Sequence, residues 1–224
     1  MIKELNIVSK GIAPHHSSKI LIEGKDVDKA AAAMIMIHGR GATAESILDI
    51  SQYFTVENIS YIAPQANGGT WYPFSFLMPV EQNEPGVTSG LQRISEIVDH
   101  TIASGISEQK IMLLGFSQGA CLSLEWTARS NKNIGAVFGL SGGLIGPNGL
   151  QRNYSGTLEN TSVFLGCSDV DFHIPKERVI ESADIFKKLN AAVTLKLYPN
   201  MDHTVNDDEI DQINSIMKKI MKTY

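Results

Sequence analysis

Ser117 stands in the pentapeptide Gly115-Phe116-Ser117-Gln118-Gly119, after the apolar run Lys110–Leu114 and before a segment rich in Ala and Leu. Gly-x-Ser-x-Gly between a strand and a helix is the arrangement of a nucleophile elbow. A serine held at so sharp a corner needs small neighbours two residues away on either side, so that strand and helix can approach. Its hydroxyl then projects above the sheet, at the positive end of the following helix. With 19 glycines in 224 residues the bare pattern is weak evidence. Its strand–turn–helix setting is far less common by accident. Ser117 is the expected nucleophile.

A serine hydroxyl needs a base within hydrogen-bond reach. The six histidines are His15, His16, His38, His100, His173 and His203. His15 and His16 precede the sheet in a polar segment, and His100 falls on a helical stretch. His203 sits in Tyr198-Pro199-Asn200-Met201-Asp202-His203, just past the apolar run Val193–Tyr198, where a base would overhang the sheet. The acid should come from the preceding loop, Gly166-Cys167-Ser168-Asp169-Val170-Asp171-Phe172-His173-Ile174-Pro175. Asp171 is the expected acid, with Asp169 the alternative as a turn or capping residue. His173, on the acid's own loop, is expected to line the pocket or face solvent. Ser117, Asp171 and His203 follow the chain order of α/β-hydrolases, which other serine hydrolase folds do not share.

Acyl transfer also needs fixed N–H donors for the developing oxyanion. One is expected from the backbone of Gln118, the other from Arg40 in His38-Gly39-Arg40-Gly41-Ala42, where glycine permits close approach to a substrate. A phosphate-binding loop would end in Gly-Lys-Ser/Thr, which this stretch lacks. His38 is expected to anchor that loop by hydrogen bonds rather than move protons. Trp71, Tyr72 and Phe74 follow the turn Asn67-Gly68-Gly69. They are candidates for the wall of an acyl pocket, Trp71 first; the alternative is an aromatic cluster that pins a long loop to the core.

These residues must be carried by an alternation of short apolar runs and longer amphipathic ones. Strands are predicted at Lys19–Ile22, Ala32–Ile37, Ser60–Ala63, Lys110–Leu114, Ala136–Leu140, Ser162–Leu165 and Val193–Tyr198. Helices are predicted at Ala44–Tyr53, Val87–Ala103, Gln118–Ser130, Pro175–Leu189, with proline in the first turn, and Asp207–Lys222. That alternation implies an α/β fold, with a mostly parallel central sheet flanked by helices on both faces and ligands bound beyond the strands' carboxyl ends. No repeat or linker divides residues 1–224, so one domain is expected. The segment 142–160, with five glycines and prolines at Gly142, Gly143, Gly146, Pro147 and Gly149, is expected to be mobile.

Composition narrows the function classes. A hydrophobic share of 43% and a charged share of 19% are those of a globular protein. A net charge of −5 argues against nucleic acid as the partner, since phosphate binding needs a basic face. No run approaches the ~18 apolar residues of a membrane span. Charge in Met1-Ile2-Lys3-Glu4 stands where a secretory apolar region would begin, so no signal peptide is expected and the compartment reads as cytoplasmic. Asn-x-Ser/Thr triplets at Asn58, Asn153 and Asn160 then read as chance. Cys121 and Cys167, the two cysteines, lack disulfide-framework or metal spacing and are expected in the core. The expected partner is a small-molecule ester substrate, with neither nucleic acid nor a membrane span. The oligomeric state is open, a homodimer included.

The chain resembles the phospholipase/carboxylesterase group of α/β-hydrolases, which also holds acyl-protein thioesterases and lysophospholipases. The resemblance rests on Ile37-His38-Gly39-Arg40-Gly41, Ile62-Ala63-Pro64-Gln65-Ala66, Gly115 to Ala120, Leu140-Ser141-Gly142, Asp171 to Pro175 and Tyr198 to His203. It implies a compact, lidless hydrolase of short- to medium-chain carboxylic esters or thioesters that needs no metal or cofactor. It favours Asp171 over Asp169, because Asp171-Phe172-His173-Ile174-Pro175 aligns with the group's Asp-x-x-Val-Pro. Ser168 stands where the group carries glycine, and Arg40 where acyl-protein thioesterases usually carry leucine. With Thr70-Trp71-Tyr72-Pro73, Arg40 makes the chain more similar to a bacterial small-ester branch. The expectation is a serine carboxylesterase working through an acyl-enzyme. An acyl thioesterase or lysophospholipase on the same fold is the alternative, and a non-catalytic binding module the remote one.

Overall fold

Every residue of the runs Ala32–Ile37 and Ile59–Pro64 is buried in the computed structural model, which describes residues 1–223. Strands apolar on both faces require cover on both, and that requirement sets the architecture. The strands are β1 (Lys3–Glu4), β2 (Ile20–Gly24), β3 (Ala32–Ile37), β4 (Ile59–Pro64), β5 (Ile111–Phe116), β6 (Ala136–Leu140), β7 (Ser162–Ser168) and β8 (Ala192–Tyr198). They form one sheet in the order β1-β2-β4-β3-β5-β6-β7-β8. β2 pairs antiparallel with β1 and β4; every other pair is parallel. The helices are α1 (Ala44–Leu48), α2 (Gly86–Ala103), α3 (Gln118–Ser130), α4 (Lys176–Lys188) and α5 (Asp207–Thr223).

The period-two alternation of strand side chains sorts the core into two layers. Ala33, Ile35 and Ile37 of β3 join Ile111 and Leu113 of β5 in the layer covered by α2, α3 and α4. Ala32, Met34 and Met36 join Met112 and Leu114 in the layer covered by α1 and α5. This is the mostly parallel, doubly covered α/β-hydrolase sheet that the sequence implies.

Differences from the expected elements are local. β1 is absent from the predicted strands, because a two-residue exposed strand carries no alternation to read. β5 and β7 run beyond Leu114 and Leu165, to Phe116 and Ser168, so the ladder reaches the segments that hold the expected nucleophile and acid. The stretch Ala44–Tyr53 is α-helical only to Leu48 and tightens into a 3₁₀ turn over Asp49–Tyr53. Pro175 is the N-cap of α4, one residue before the helix.

The expected mobility of segment 142–160 is not what its contacts describe. Arg178 of α4, 2% exposed, donates to the carbonyls of Leu144 and Gly146 and to Asn148 Oδ1. Arg152 donates to the carbonyls of Ile145 and Leu144, and buried Glu125 of α3 accepts from Ile145 N–H and Tyr154 Oη–H. Glycine frees a backbone only where nothing binds its carbonyls; here two arginines do. Among the described residues, no helix is long and apolar enough to cross a membrane.

Candidate active site

At the end of β5 the chain turns into α3 through Ser117, which adopts φ +55°, ψ −118°. Such a conformation costs a non-glycine residue about 1–3 kcal/mol and persists only where its surroundings enforce it. Ser117 N–H donates to Leu140 O at 2.9 Å and Ser117 O accepts from Cys121 N–H at 3.1 Å, fixing both sides of the corner. The flanking glycines are a steric necessity. A Cβ on Gly115 would run into Gly119 O, and one on Gly119 into the carbonyls of Ile37 and His38.

Above this corner, His203 Nε2 lies 2.9 Å from Ser117 Oγ, and His203 Nδ1 lies 2.6 Å from Asp171 Oδ2. Asp171 ends this chain of bonds fully buried at its side chain, while His203 keeps 24% side-chain exposure. The other carboxylate oxygen, Oδ1, accepts from the N–H groups of His173 and Ile174. Burial pushes the Asp171 pKa up, but the bonds from His203 and the two N–H groups outweigh it and hold the acid below its ordinary range. An ionised Asp171 accepts from Nδ1–H, which leaves Nε2 lone-paired towards Ser117. The rings of Phe116 and His173 flank His203 at 5.0 and 5.1 Å between centroids. Asp169 acts elsewhere. Its Oδ1 accepts from Asn200 N–H, bracing the acid loop against the loop that carries His203.

The loop after β3 closes on the same point. A Cβ on Gly39 would stand 3.4 Å from Ser117 Cβ. Neither the Arg40 nor the Gln118 backbone N–H has a hydrogen-bond partner among the described residues. His38 anchors the loop: Nδ1 bonds Gly39 O at 2.7 Å and Nε2 accepts from Ala66 N–H at 3.0 Å. Burial lowers its pKa, and a ring that accepts at Nε2 while Nδ1–H donates to a carbonyl is the neutral tautomer. The side chains of Arg40 and Gln118 both grip segment 70–74. Arg40 donates to Thr70 Oγ1, Pro73 O and Phe74 O; Gln118 accepts from Trp71 N–H and donates to Tyr72 O.

A cavity of about 460 Å³ opens at Ser117 and His203, walled by Arg40, Tyr72, Phe74, Phe76, Cys121, His173 and Ile174. Trp71 is not part of that wall, which corrects the expectation from sequence. It is fully buried behind the pocket, donating from Nε1 to His38 O, with the rings of His15 and His38 at 5.0 and 5.2 Å. The segment bends over residues 71–74, and the bend turns Trp71 into the core while Tyr72, Phe74 and Phe76 reach the cavity. Sequence reasoning misses His15, whose buried ring bonds Trp71 O and Asn67 N–H from a segment with no pattern of its own. Cys121 is buried in the core as expected, but it also has an edge on the cavity that no sequence signal marks. Burial pushes that thiol up to about 12, so it stays neutral beside Ser117. Among the described residues, no group of three or more His, Cys, Asp and Glu stands where it could hold a metal ion.

A family model described as phospholipase/carboxylesterase matches residues 19–221. Acyl-protein thioesterase 1 of Saccharomyces cerevisiae is 26% identical over 220 residues, covering 88% of this chain and 96% of that protein. Lysophospholipase-like protein 1 of Mus musculus is 24% identical over 203 residues, covering 83% of this chain and 85% of that protein. The crystal structure of a phospholipase/carboxylesterase from Dyadobacter fermentans superposes with a TM-score of 0.88 at 39% identity. It covers 93% of this chain and 100% of that one.

Proposed function

This chain belongs to the phospholipase/carboxylesterase family, and on that premise we propose that it is a serine carboxylesterase of short- to medium-chain esters. The observation that carries the proposal is the unbroken series Asp171–His203–Ser117 at the mouth of the cavity.

His203 Nε2 takes the proton of Ser117 Oγ as the oxygen attacks the ester carbonyl, forming the new C–O bond. The carbonyl oxygen becomes an oxyanion, received by the backbone N–H groups of Arg40 and Gln118. Asp171 stabilises the imidazolium and keeps its tautomer. His203 then hands the proton to the leaving alkoxide as the C–O bond breaks, giving the alcohol and an acyl-serine. Water, deprotonated by the same Nε2, attacks the acyl-enzyme, and the proton returns to Ser117 as the acid departs.

A cavity of about 460 Å³ suits a short or medium acyl chain, lying in the lower part of the usual range of roughly 300–1,000 Å³ for small-molecule sites. The relatives' names favour a second reading, an acyl thioesterase or lysophospholipase. The complete hydrogen-bonded series weighs against a non-catalytic binding module. Two buried free cysteines support a reducing compartment such as the cytoplasm.

The test is hydrolysis of p-nitrophenyl esters from acetate to palmitate, with matched oxygen and thio esters of one acyl chain, by wild type and Ser117→Ala. Turnover that peaks at short to medium chains, prefers the oxygen ester and vanishes in the variant is expected. A peak at long chains or a thioester preference would move the assignment to the second reading. Equal turnover by Ser117→Ala would end the proposal.

A further inference from the structure

Arg40 brings a full positive charge to a cavity whose lining contains no carboxylate. Its guanidinium is spoken for only in part. Nη1 donates to Thr70 Oγ1 at 3.1 Å and to Pro73 O at 2.9 Å, and Nη2 donates to Phe74 O at 2.7 Å. All three acceptors are neutral, so these bonds orient the cation without cancelling its charge. Among the described residues, they leave the Nε–H and a second Nη2 hydrogen without an acceptor. The group is also exposed, and it lies 6.0 Å from the centre of the Tyr72 ring, which lines the same cavity. In a chain of net charge −5, this cation shares one cavity with Ser117 and has no ion-pair partner among the described residues.

Pinning segment 70–74 would not by itself require a charge there, since any donor of the right length can hold a carbonyl. An arginine held rigid by backbone acceptors, with donors to spare, is instead preorganised for an anionic group, because little side-chain entropy remains to be lost on binding. Resting on the esterase reading above, we infer that the substrates of this site are esters bearing a carboxylate, and that the Arg40 side chain selects them. The reacting carbonyl meets Ser117 while the carboxylate meets the free edge of the guanidinium.

The experiment measures kcat/KM for two matched pairs of esters. One pair places the anion in the acyl half: p-nitrophenyl hydrogen adipate against p-nitrophenyl hexanoate. The other places it in the alcohol half: 4-carboxyphenyl hexanoate against its methyl ester. Each is measured in wild type, Arg40→Lys and Arg40→Gln. Because the backbone N–H of residue 40 serves the oxyanion, the readout is the charged-to-neutral ratio within each protein and not the rate itself.

The wild type should prefer the charged member of at least one pair. Arg40→Gln should lower that ratio about tenfold, the scale of a hydrogen bond to a charged group. Arg40→Lys should keep most of it, and added salt should erode it in both charged proteins. The pair that responds identifies the half of the substrate that lies against Arg40. Ratios that match in wild type and Arg40→Gln for both pairs would overturn the inference while leaving the esterase intact. Absence of turnover on the neutral esters as well would instead bring down the esterase reading on which it rests.

Discussion

A serine hydroxyl alone is a poor nucleophile, and in the proposed mechanism the weight of the chemistry falls on how Asp171 holds His203. The 2.6 Å contact from Nδ1 to Oδ2 fixes which imidazole nitrogen faces the serine. Asp171→Asn keeps the shape but supplies an amide where an acceptor is needed, so it should lower kcat about 10⁴-fold. Steady-state assays on a short-chain ester would show this; a loss below tenfold would assign the tautomer to another group. At this scale the sequence is most informative where a residue's type is dictated by chemistry. Ser117, Asp171 and His203 can be named from motif and order, and the fold brings them into one hydrogen-bonded series. It is least informative where type is generic and geometry decides. Nothing in Thr70-Trp71-Tyr72-Pro73-Phe74 tells which aromatic ring turns inward, and for that reason the pocket role expected of Trp71 fails. The Arg40 and Gln118 side chains are equally unreadable, since their partners lie some 30 to 48 positions away in sequence.

The elements matter through their ends. β5 delivers Ser117, β7 leads to Asp171, and the loop between β8 and α5 carries His203. α5 is capped reciprocally, with Glu209 N–H donating to Asn206 Oδ1 and Asn206 N–H to Glu209 Oε2. The second oxygen of Glu209 is buried without a partner, packed against Gly166 of β7. Burial raises the Glu209 pKa from 4.5 to about 7, with the Asn206 N–H opposing it. The folded state therefore binds a proton that the unfolded chain releases, and stability must fall as pH rises from about 4.5 to about 7. The full cost above that window is about 3 kcal/mol at most. Urea melts at pH 5 and pH 8 should show wild type losing stability across the interval and Glu209→Gln losing much less. Parallel losses in the two proteins would mean that Glu209 ionises in the fold without penalty. Core strands such as Ala32–Ile37 and Ala136–Leu140 are legible to the residue, because burial on both faces leaves an unbroken apolar run. β1 is invisible in sequence, since a two-residue edge strand owes its existence to its neighbour β2.

For the whole molecule, the sheet and its two helical layers form one platform, and the segments laid over its carboxyl edge wall the cavity. Segment 142–160 looks loose in sequence, but Arg152 within it and Arg178 of α4 bind its carbonyls. Removing Arg178 with Arg178→Met should unbind Gly146 O, and amide hydrogen exchange over residues 144–150 should quicken about tenfold or more. Unchanged exchange would mean that Arg152 and Glu125 hold the segment without it. The central claim, that this platform exposes one activated serine, is tested most directly by a fluorophosphonate probe and peptide mapping of the adduct. Wild type should carry a single adduct on the peptide containing Ser117, formed faster than in Asp171→Asn, with none on Ser117→Ala. A folded wild-type protein that takes no label, or takes it at another residue, would contradict the account.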